Sequence, residues 1–541
     1  MKPNIKNLAL AIFCCSFAAS CTTNVIEQEP DDPSYKPGDA NEVTVNFRVM
    51  PNSYTRATSE DDLESLYLAF YKINSNSSKF IELKKVETSV TTGTTMTMTL
   101  ALSSDRPNAV VAYANVSNPT DLNDALNNNP STSDLCNDNG CIIMSSARYY
   151  DTGNNNADIY FSKISDEDLE NGNVIDIYLE RIPAKVTVSS ENLKAEDIHT
   201  IDKNGNLRKL NLTLTHWDIF GTDKATYYLK NNGNLEFSKM EDILGSNDKS
   251  TNWNWNNLSN HSLNWAYSVN YINTGIIPAI GEESEASDTY HPKFSDVSNN
   301  FGNSALFNET TRPYTSYATP NAKPSLVLTG QYTVDGEENS QTLYRQGNLV
   351  YTESELIDHF AEINKEKSLF YYKNGNSVIE YNAKNIANSL TYSLLITYPE
   401  SEKGIMPNIV TLQIPTNNKE ICDASSNLYT GNKLTEINKT LADEMGLWEV
   451  YFEGNCFFHI PIEHTGKATD SNGTGSYGLV RNHHYRIELG SIEGIGHGVP
   501  STETYLGEWS FDKNLDDIQN LKYSISINPW TDVNQSINIT R

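Results

Sequence analysis

The sequence predicts an all-β protein with a few short helices. It contains 30 tyrosines and many threonines, serines and asparagines among 541 residues, and these residue types favour strands and turns. The segment 43–49 alternates apolar and polar side chains with the period of two that a half-buried strand requires. Asn-Gly pairs, which suit tight hairpin turns, recur at 204–205, 232–233, 374–375 and 472–473. Strands joined by turns are therefore expected to make up most of the fold.

The first residues have the order of an export signal. A basic start precedes an apolar run from 8 to 17, and small residues then lead to Cys21. The run is too short for a membrane span, which takes about 20 apolar residues. The segment resembles a bacterial lipobox, so we expect residues 1–20 to be a signal peptide and Cys21 to carry lipid. The alternative is a secreted protein cleaved near residue 20; both interpretations export the chain.

The composition is strongly acidic. The formal net charge is −29 at pH 7, so the chain repels nucleic-acid phosphates and anionic lipid headgroups. We therefore expect no nucleic-acid partner. Residues 21–42 are rich in acidic residues and proline and lack apolar periodicity, which predicts an extended tether before the first strand.

The rest of the chain divides into two predicted β-domains, at 43–232 and 233–541. Helices are predicted only where caps and helical spacing coincide. These places are 120–126, with Thr120 as the N-cap, the residues after a capping box at 352–355, and 434–445.

Four cysteines remain after the leader and its lipidated cysteine. Cys136 and Cys141 flank a turn-forming Asn-Gly pair, which suits a local disulfide, and Cys422 and Cys456 could pair within the C-terminal half. Isolated buried thiols are the alternative. Neither region has the CxxC spacing or the neighbouring histidine pair that is typical of a metal site.

No segment has the spacing of a catalytic or cofactor site. The run 474–478 is one glycine short of a nucleophile elbow, and 494–498 lacks the helix that follows a phosphate-binding glycine loop. His459 and His464 are predicted to lie on opposite faces of a strand and to be hydrogen-bonded structural residues. We therefore expect no enzyme activity, no metal and no cofactor.

Three tryptophans in an asparagine-rich stretch have two interpretations. Trp253, Trp255 and Trp265 could stack on sugar rings if they are exposed, and would otherwise anchor a core or a loop. Leucines at 258 and 263 favour the second interpretation. The first, together with the predicted lipid anchor, defines an alternative function as a surface glycan-binding lipoprotein of a polysaccharide-uptake system.

Several motifs together resemble the fimbrillins of the Bacteroidales. The segment 110–115 (VVAYAN) resembles one of their strands, and 176–186 (DIYLERIPAKV) resembles their LeR-x-x-AKV strand, with Pro183 as a departure. The segment 477–496 (YGLVRNHHYRIELGSIEGIG) is similar to the signature of the Mfa-type, or minor-fimbrium, branch. An Asn-Pro-Trp motif at 528–530 before a final strand also fits. The resemblance extends from the leader to the last strand.

The resemblance implies two transthyretin-like β-sandwich domains in a lipoprotein that polymerises into a type V pilus, or fimbrium, at the outer membrane. An arginine-specific protease would cut behind the first strand. Arg56, before Ala57, occupies that position, whereas Arg48 lies inside the strand. The implied partners are other copies of the chain, accessory tip and anchor subunits, the protease and, through its lipid, the membrane. Cleavage would release the first strand, whose apolar residues are Val43, Val45, Phe47 and Val49.

The last twenty or so residues have the pattern of a strand that could replace the released one. Apolar and polar residues alternate both before and after the Asn-Pro-Trp motif. We expect this segment to fill the groove of a neighbouring subunit by adding a strand to its sheet. The expected donor residues are Ile525, Ile527, Trp530, Val533, Ile537 and Ile539.

Overall fold

The computed structural model describes the chain in segments, most of which are strands and the turns between them. No helix among the described residues is long and apolar enough to cross a membrane. The described residues are 41–51, 62–87, 95–102, 105–146, 148–150, 157–159, 161–191, 193–195, 198–230, 289–311, 323–380, 393–395, 409–413, 421–446, 448–464, 477–492, 494–506 and 521–529.

The described residues of the first part of the chain form eleven strands and two short helices. They are β1 (Asn41–Pro51), β2 (Leu66–Ile73), β3 (Ser78–Lys85), β4 (Thr95–Leu102), β5 (Ala109–Ala114), α1 (Ala125–Asn128), β6 (Ser131–Thr132), β7 (Met144–Ser146), β8 (Arg148–Tyr150), β9 (Ala157–Ile159), β10 (Ser162–Lys163), α2 (Asp166–Asn171) and β11 (Val174–Arg181).

The second part is also dominated by strands, which confirms the all-β prediction. Its elements are β12 (Ala184–Ser189), β13 (Lys194–Ala195), β14 (Ile198–Ile201), β15 (Leu207–Phe220), β16 (Thr222–Asp223), β17 (Thr226–Tyr227), β18 (Thr289–Tyr290), β19 (Ser304–Phe307), β20 (Ser325–Val334), β21 (Leu343–Gln346), β22 (Leu349–Thr352), α3 (Glu353–Lys367), β23 (Tyr371–Asn374), β24 (Ser377–Glu380), β25 (Ser393–Leu395), β26 (Ile409–Gln413), β27 (Ile421–Cys422), α4 (Gly431–Met445), β28 (Trp448–Tyr451), β29 (Asn455–Pro461), β30 (His483–Ile492), β31 (His497–Gly498) and β32 (Leu521–Pro529).

An eight-stranded sheet in the first part curls around its own apolar core. Its order is β3-β2-β5-β7-β11-β1-β4, with β10 paired to β5. One buried cluster takes side chains from strands across this sheet, among them Phe47, Leu68 and Ile177, so one face closes on itself. The two edge strands also approach each other. The Nζ atom of Lys84 on β3 donates a hydrogen bond of 2.8 Å to the carbonyl of Thr99 on β4.

The other face of β2 and β5 is covered by residues from later in the chain. Tyr71 and Tyr113 lie in a second apolar cluster with Leu126 of α1. Tyr228 joins the same cluster and meets the ring of Tyr113 edge-on, with ring centroids 6.0 Å apart. Both faces of these two strands are therefore buried, as expected for near-continuous apolar sequences.

The helix predicted at 120–126 differs in detail. A 3-10 helix at Pro119–Leu122 comes first, and α1 follows it as a single turn. Asn118, rather than Thr120, is the N-cap, because its Oδ1 atom accepts a hydrogen bond from the backbone N–H of Thr120. Asparagine ranks above threonine as an N-cap residue, and it stands next to a proline that suits the first helical position.

Two sheets in the second part form a β-sandwich. The smaller contains β13, β30, β12, β19 and β32, and the larger has the order β25-β26-β28-β21-β22-β14-β15-β20-β29-β31. An apolar cluster joins them: Val186 and Tyr485 come from the smaller sheet, and Trp217, Leu328 and Phe458 come from the larger. All five side chains are almost completely buried.

The domain boundary expected at 232 lies elsewhere in the structure. The strand β12 pairs with β30, and β15 pairs with β20, so residues from Ala184 onward belong to the C-terminal sandwich. The N-terminal sheet ends at Arg181. A short later segment belongs to the N-terminal part again, since β17 pairs with β6 and Leu229 packs in the N-terminal core. Local periodicity could not reveal this, because both sheets use the same alternation.

Two helices cover the β21, β22 and β28 region of the larger sheet. The predicted capping box is confirmed: the carboxylate of Glu355 accepts the N–H of Thr352 at 2.8 Å, and the hydroxyl of Thr352 accepts the N–H of Glu355 at 3.4 Å. The predicted helical stripe on α4 is buried as well. It includes Leu434, Ile437 and Leu441, which pack in the same apolar cluster as α3.

Candidate functional site

The strand β1 has two neighbours in its sheet. It pairs in parallel with β11 over 46–51 and antiparallel with β4 over 41–48. Within the described part of the chain, β4 pairs only with β1. Removal of β1 would therefore leave two open strand edges, on β11 and on β4, which face each other across an empty row.

The inner face of β1 is deeply buried. Val45, Phe47 and Val49 are 2%, 1% and 1% exposed, and Val43 is partly buried against the same cluster. These are the four residues that the sequence pattern assigned to the apolar face of the first strand. Their places form a groove between β4 and β11, lined by residues of the cluster around Phe47.

The outer face of β1 makes specific polar contacts to both neighbouring strands. The Nδ2 atom of Asn46 donates to the carbonyl of Gly172 at 2.8 Å, and its Oδ1 atom accepts from the hydroxyl of Thr97 at 2.8 Å. Arg48 donates from Nε and Nη2 to the two carboxylate oxygens of Asp176 at 2.9 and 3.1 Å. These contacts fix the register of β1, since a shift of one residue would turn the polar side chains into the core.

The carbonyl of Gly172, which accepts the hydrogen bond from Asn46, is positioned by the end of α2. Ser165 and Asp168 form a capping box at the start of this helix, and Gly172 ends it with a φ of 65°. A side chain at position 172 would place its Cβ 3.3 Å from the Nδ2 atom of Asn46. Glycine therefore both permits the left-handed backbone conformation and leaves room for the amide.

The sequence-predicted residues on the donor segment are only partly described. Ile525 and Ile527 lie on β32, opposite Ile487 and Tyr485 of β30, so this half of the segment is an edge strand of its own C-terminal sandwich. The remaining predicted residues of the processing and binding sites lie outside the described residues. They are Cys21, Arg56, Ala57, Trp253, Trp255, Trp265, Trp530, Val533, Ile537 and Ile539.

Charged side chains are buried where the two halves of the chain meet. They come from β11, from the residues after β17 and β19, and from the turn before β30, and each is at most 3% exposed. Burial of charge is costly unless the charges are paired and hydrogen-bonded. We call these residues the junction cluster: Glu180, Arg181, Lys230, Glu309 and Arg481.

Arg481 makes contacts to both halves of the chain. Its Nε and Nη2 atoms each lie 2.8 Å from one carboxylate oxygen of Glu309. Its Nη1 and Nη2 atoms also donate to the carbonyls of Tyr228 and Tyr227, at 3.1 and 2.8 Å, in the segment that returns to the N-terminal sheet. Glu180 of β11 lies 3.9 Å from the same guanidinium group. One side chain of the C-terminal sandwich thus holds the end of the N-terminal sheet.

The sequence analysis placed Arg481 in a family motif without assigning it a role. A charged residue between Val480 and a strand of alternating apolar residues is the signal that could have indicated burial. Its partner Glu309 lies 172 residues earlier, so no local pattern could have identified the pair. The polar contacts of Asn46 and Arg48 were missed for the same reason.

The predicted disulfides do not form in the structure. Cys141, Cys422 and Cys456 carry free thiols, so neither proposed pairing exists. Cys456 lies in the core between the two sheets of the sandwich, whereas Cys422 lies on β27 in a separate three-stranded sheet. The hairpin of Cys136 is held instead by Asn137, whose Oδ1 atom accepts the N–H of Cys141 at 2.9 Å. Burial raises the pKa of the Cys456 thiol.

Two titratable side chains, Asp218 and His459, are buried on the outer face of the larger sheet. Burial raises the pKa of Asp218 to about 6 and lowers that of His459 to about 3. The hydroxyl of Tyr290 donates to Asp218 at 3.1 Å, whereas the Nε2 atom of His459 has no hydrogen-bond partner among the described residues. The expectation of hydrogen-bonded histidines is therefore wrong for this atom. It holds for His464, whose Nδ1 atom lies 2.8 Å from the hydroxyl of Tyr485. The described residues contain no cluster of side chains that could bind a metal.

Solved structures give only distant likenesses. A candidate cell adhesion protein from Parabacteroides distasonis is 10% identical, with 92% of this chain and 99% of that chain covered and a TM-score of 0.36. One from Bacteroides eggerthii is 10% identical, covering 92% and 98%, with a TM-score of 0.34. The tip fimbrial protein Mfa3 from Porphyromonas gingivalis is 10% identical, covering 91% and 100%, with a TM-score of 0.29. These TM-scores are too low to establish a shared fold.

The family comparison is more specific. A search of curated proteins found no match for the sequence. Residues 449–536, from β28 to beyond β32, match the family model described as the major fimbrial subunit protein type IV, fimbrillin, C-terminal. The matched family consists of structural subunits of fimbriae. The matched region of this chain includes the signature segment 477–496, in which Arg481 lies. The resemblance predicted from the motifs is thereby confirmed, and residues 449–536 of this chain match the C-terminal region of the fimbrillins.

Proposed function

We propose that this chain is a structural subunit of a cell-surface fimbria that polymerises by exchange of β1 for a strand of another copy. The position of β1 between two neighbouring strands is the observation that supports this function most directly. The strand lies between β11 and β4, and its buried face is made of Val45, Phe47 and Val49. It is also the first strand of the described chain, so one cut behind it would separate it from the rest of the fold.

The energy of the empty groove supplies the driving force. A fully buried apolar side chain contributes roughly 1.5–3 kcal/mol, so the three buried residues of β1 contribute about 5–9 kcal/mol. Loss of β1 would also expose the backbone hydrogen-bonding groups of β4 and β11. A strand that alternates apolar and polar residues would recover both contributions by pairing with the two open edges.

The segment after β32 is the strand that we assign as donor. β32 pairs with β30 of the C-terminal sandwich, and the segment that we assign as donor follows β32 directly in the sequence. The apolar residues Val533, Ile537 and Ile539 then continue the alternation. Arg56, behind β1, is the proposed cleavage site, and lipid on Cys21 would hold the uncleaved chain at the outer membrane. Binding of the donor segment of one copy in the groove of the next would yield a homopolymer. Tip and anchor subunits would join this homopolymer at its ends.

Limited digestion of the mature protein with an arginine-specific protease tests this function. We expect a new N-terminus at Ala57, followed by heat-labile ladders and filaments in electron micrographs. Arg56→Ala should abolish cleavage and assembly. Arg106→Ala is the matched control: Arg106 is exposed and lies beyond β4, so its replacement should leave assembly unchanged. A protein that is cleaved at Ala57 and stays monomeric, or Arg56→Ala variants that still polymerise, would contradict the proposal.

A further inference from the structure

The polar contacts of β1 define what an incoming strand must offer. Once β1 has left, the carbonyl of Gly172 and the hydroxyl of Thr97 lose the amide of Asn46 that joined them. An amide can donate to the first and accept from the second at the same time, because its donor and its acceptor are separate atoms. The groove left by β1 also requires an apolar residue on each side of that amide, because Val45 and Phe47 are buried there.

The donor segment contains a match to this requirement. Thr44-Val45-Asn46-Phe47 of β1 corresponds in order to Ser536-Ile537-Asn538-Ile539. Each position keeps its chemical class: a hydroxyl, a β-branched apolar residue, an amide and a large apolar residue. The hydroxyl and the amide would face outward and the two isoleucines inward, as in β1.

Two other asparagines near the end of the chain fit the site less well. Asn528 follows an isoleucine, but Pro529 would stand at the place of Phe47, where it cannot donate to the ladder or fill the pocket. Asn528 is also already paired with His484 on β30. Asn534 is followed by Gln535, which would bury an amide in the place of Phe47. Asn538 alone has an apolar residue on each side.

We propose that Asn538 of one copy occupies the site of Asn46 in the next copy, with the donor strand running in the same direction as β1. This inference rests on the proposed function and specifies its register. In this register Ile537 and Ile539 take the places of Val45 and Phe47. The strand is then parallel to β11 and antiparallel to β4, so it meets the same backbone groups that β1 met.

Three places of β1 are not matched in this register: Gln535 would take the partly buried place of Val43, Arg541 the buried place of Val49, and Thr540 the place of Arg48. Thr540 would stand where Arg48 now pairs with Asp176 through two hydrogen bonds. The chain's own strand therefore holds an ion pair that the donor strand lacks. The proposed register thus makes the Arg48–Asp176 pair a contact of the uncleaved subunit only, and Asp176→Asn should weaken the uncleaved monomer without weakening the polymer.

Cysteine cross-linking in the full chain tests the register. Asn46 lies directly opposite Thr97 on β4, so Asn538 should do so after exchange. Antiparallel residues directly opposite each other have Cα atoms about 4.5–5.5 Å apart, which a disulfide can span. Polymers of Thr97→Cys/Asn538→Cys should form covalent ladders under oxidation. Thr99→Cys/Asn538→Cys, shifted by two residues, should not, and the unmodified chain controls for its own thiols.

A second pair of variants tests the direction. Arg48 lies opposite Thr95, so a donor strand parallel to β1 brings Thr540 to Thr95, whereas a reversed strand brings Ser536 there. We expect cross-links in Thr95→Cys/Thr540→Cys polymers and none in Thr95→Cys/Ser536→Cys polymers. The opposite result would overturn the direction, and cross-linking only in the shifted Thr99 variant would overturn the register.

Heat dissociation separates this inference from the proposed function. Asn538→Ala should lower the dissociation temperature of polymers and leave the melting temperature of the uncleaved monomer unchanged, because β1 still carries Asn46. Asn46→Ala should do the reverse. If Asn538→Ala polymers form and dissociate like wild type, the register is wrong and strand exchange stands. If the cleaved wild-type chain forms no polymer at all, the proposed function itself fails.

Discussion

Removal of the Arg481 guanidinium should cost a large part of the chain's stability. In Arg481→Met the carboxylate of Glu309, 2% exposed, loses the cation that lies 2.8 Å away. The carbonyls of Tyr227 and Tyr228 lose their side-chain donor as well. Removal of one partner from a buried ion pair costs about 3–5 kcal/mol. A folded protein is typically stable by only about 5–15 kcal/mol, so this loss would be severe.

Equilibrium unfolding in urea, followed by circular dichroism, measures the effect. We expect Arg481→Met to lower the unfolding free energy by about 3–5 kcal/mol and to separate the unfolding of the two halves of the chain, since Arg481 contacts both. The double variant Arg481→Met/Glu309→Gln should recover part of the loss, because it removes the unpaired charge. Arg106→Met is the control: this arginine is about half exposed, and its loss should change stability by less than about 0.5 kcal/mol. A loss below about 1 kcal/mol for Arg481→Met would refute the reasoning.

Three further predictions concern other parts of the fold. Phe47→Ala should lower the unfolding free energy of the uncleaved chain by about 3–5 kcal/mol, since it leaves a cavity in the N-terminal core, whereas Thr44→Ala on the exposed face of β1 should be nearly neutral. Asp218 has a pKa of about 6 in the fold against an ordinary 3.8, so folding takes up a proton between these values. As the pH falls from 7 to 4, wild type should therefore gain roughly 2 kcal/mol of stability relative to Asp218→Asn. Thr352→Ala should cost about 1 kcal/mol through loss of the α3 cap.

The same urea titrations decide these three predictions. Equal losses of unfolding free energy for Phe47→Ala and Thr44→Ala would show that β1 does not bury Phe47 and expose Thr44 as described. A stability difference between wild type and Asp218→Asn that does not change with pH would show that the carboxyl group is not shifted. An unchanged midpoint for Thr352→Ala would mean that the capping box adds nothing to the packing of α3.

Features set by neighbouring residues could be predicted from the sequence. The alternation of 43–49 predicted β1 and its buried face, because a strand turns successive side chains to opposite sides. The capping box at Thr352 and the stripe along α4 follow from hydrogen bonds and spacing within a few residues. The motif in 477–496 that resembles the fimbrillins could be recognised from the sequence because it is a continuous run of residues.

Features set by pairing between distant segments needed the tertiary structure. Only the sheet order shows that β12 and β15 belong to the C-terminal sandwich, since their alternation would suit either sheet. The free thiol of Cys456 follows from the placement of its strand in a core that Cys422 does not share. The site of Asn46 depends on Gly172, 126 residues away.

The sequence by itself thus determined the class of fold, the first strand and the likeness of residues 449–536 to the fimbrillin C-terminal region, because each is encoded in residues close together in the chain. The tertiary structure decided where the two halves meet, which charges are buried there and what lies on either side of β1. The physical reason is that the period of a strand is local, whereas the choice of its neighbours depends on the packing of whole sheets.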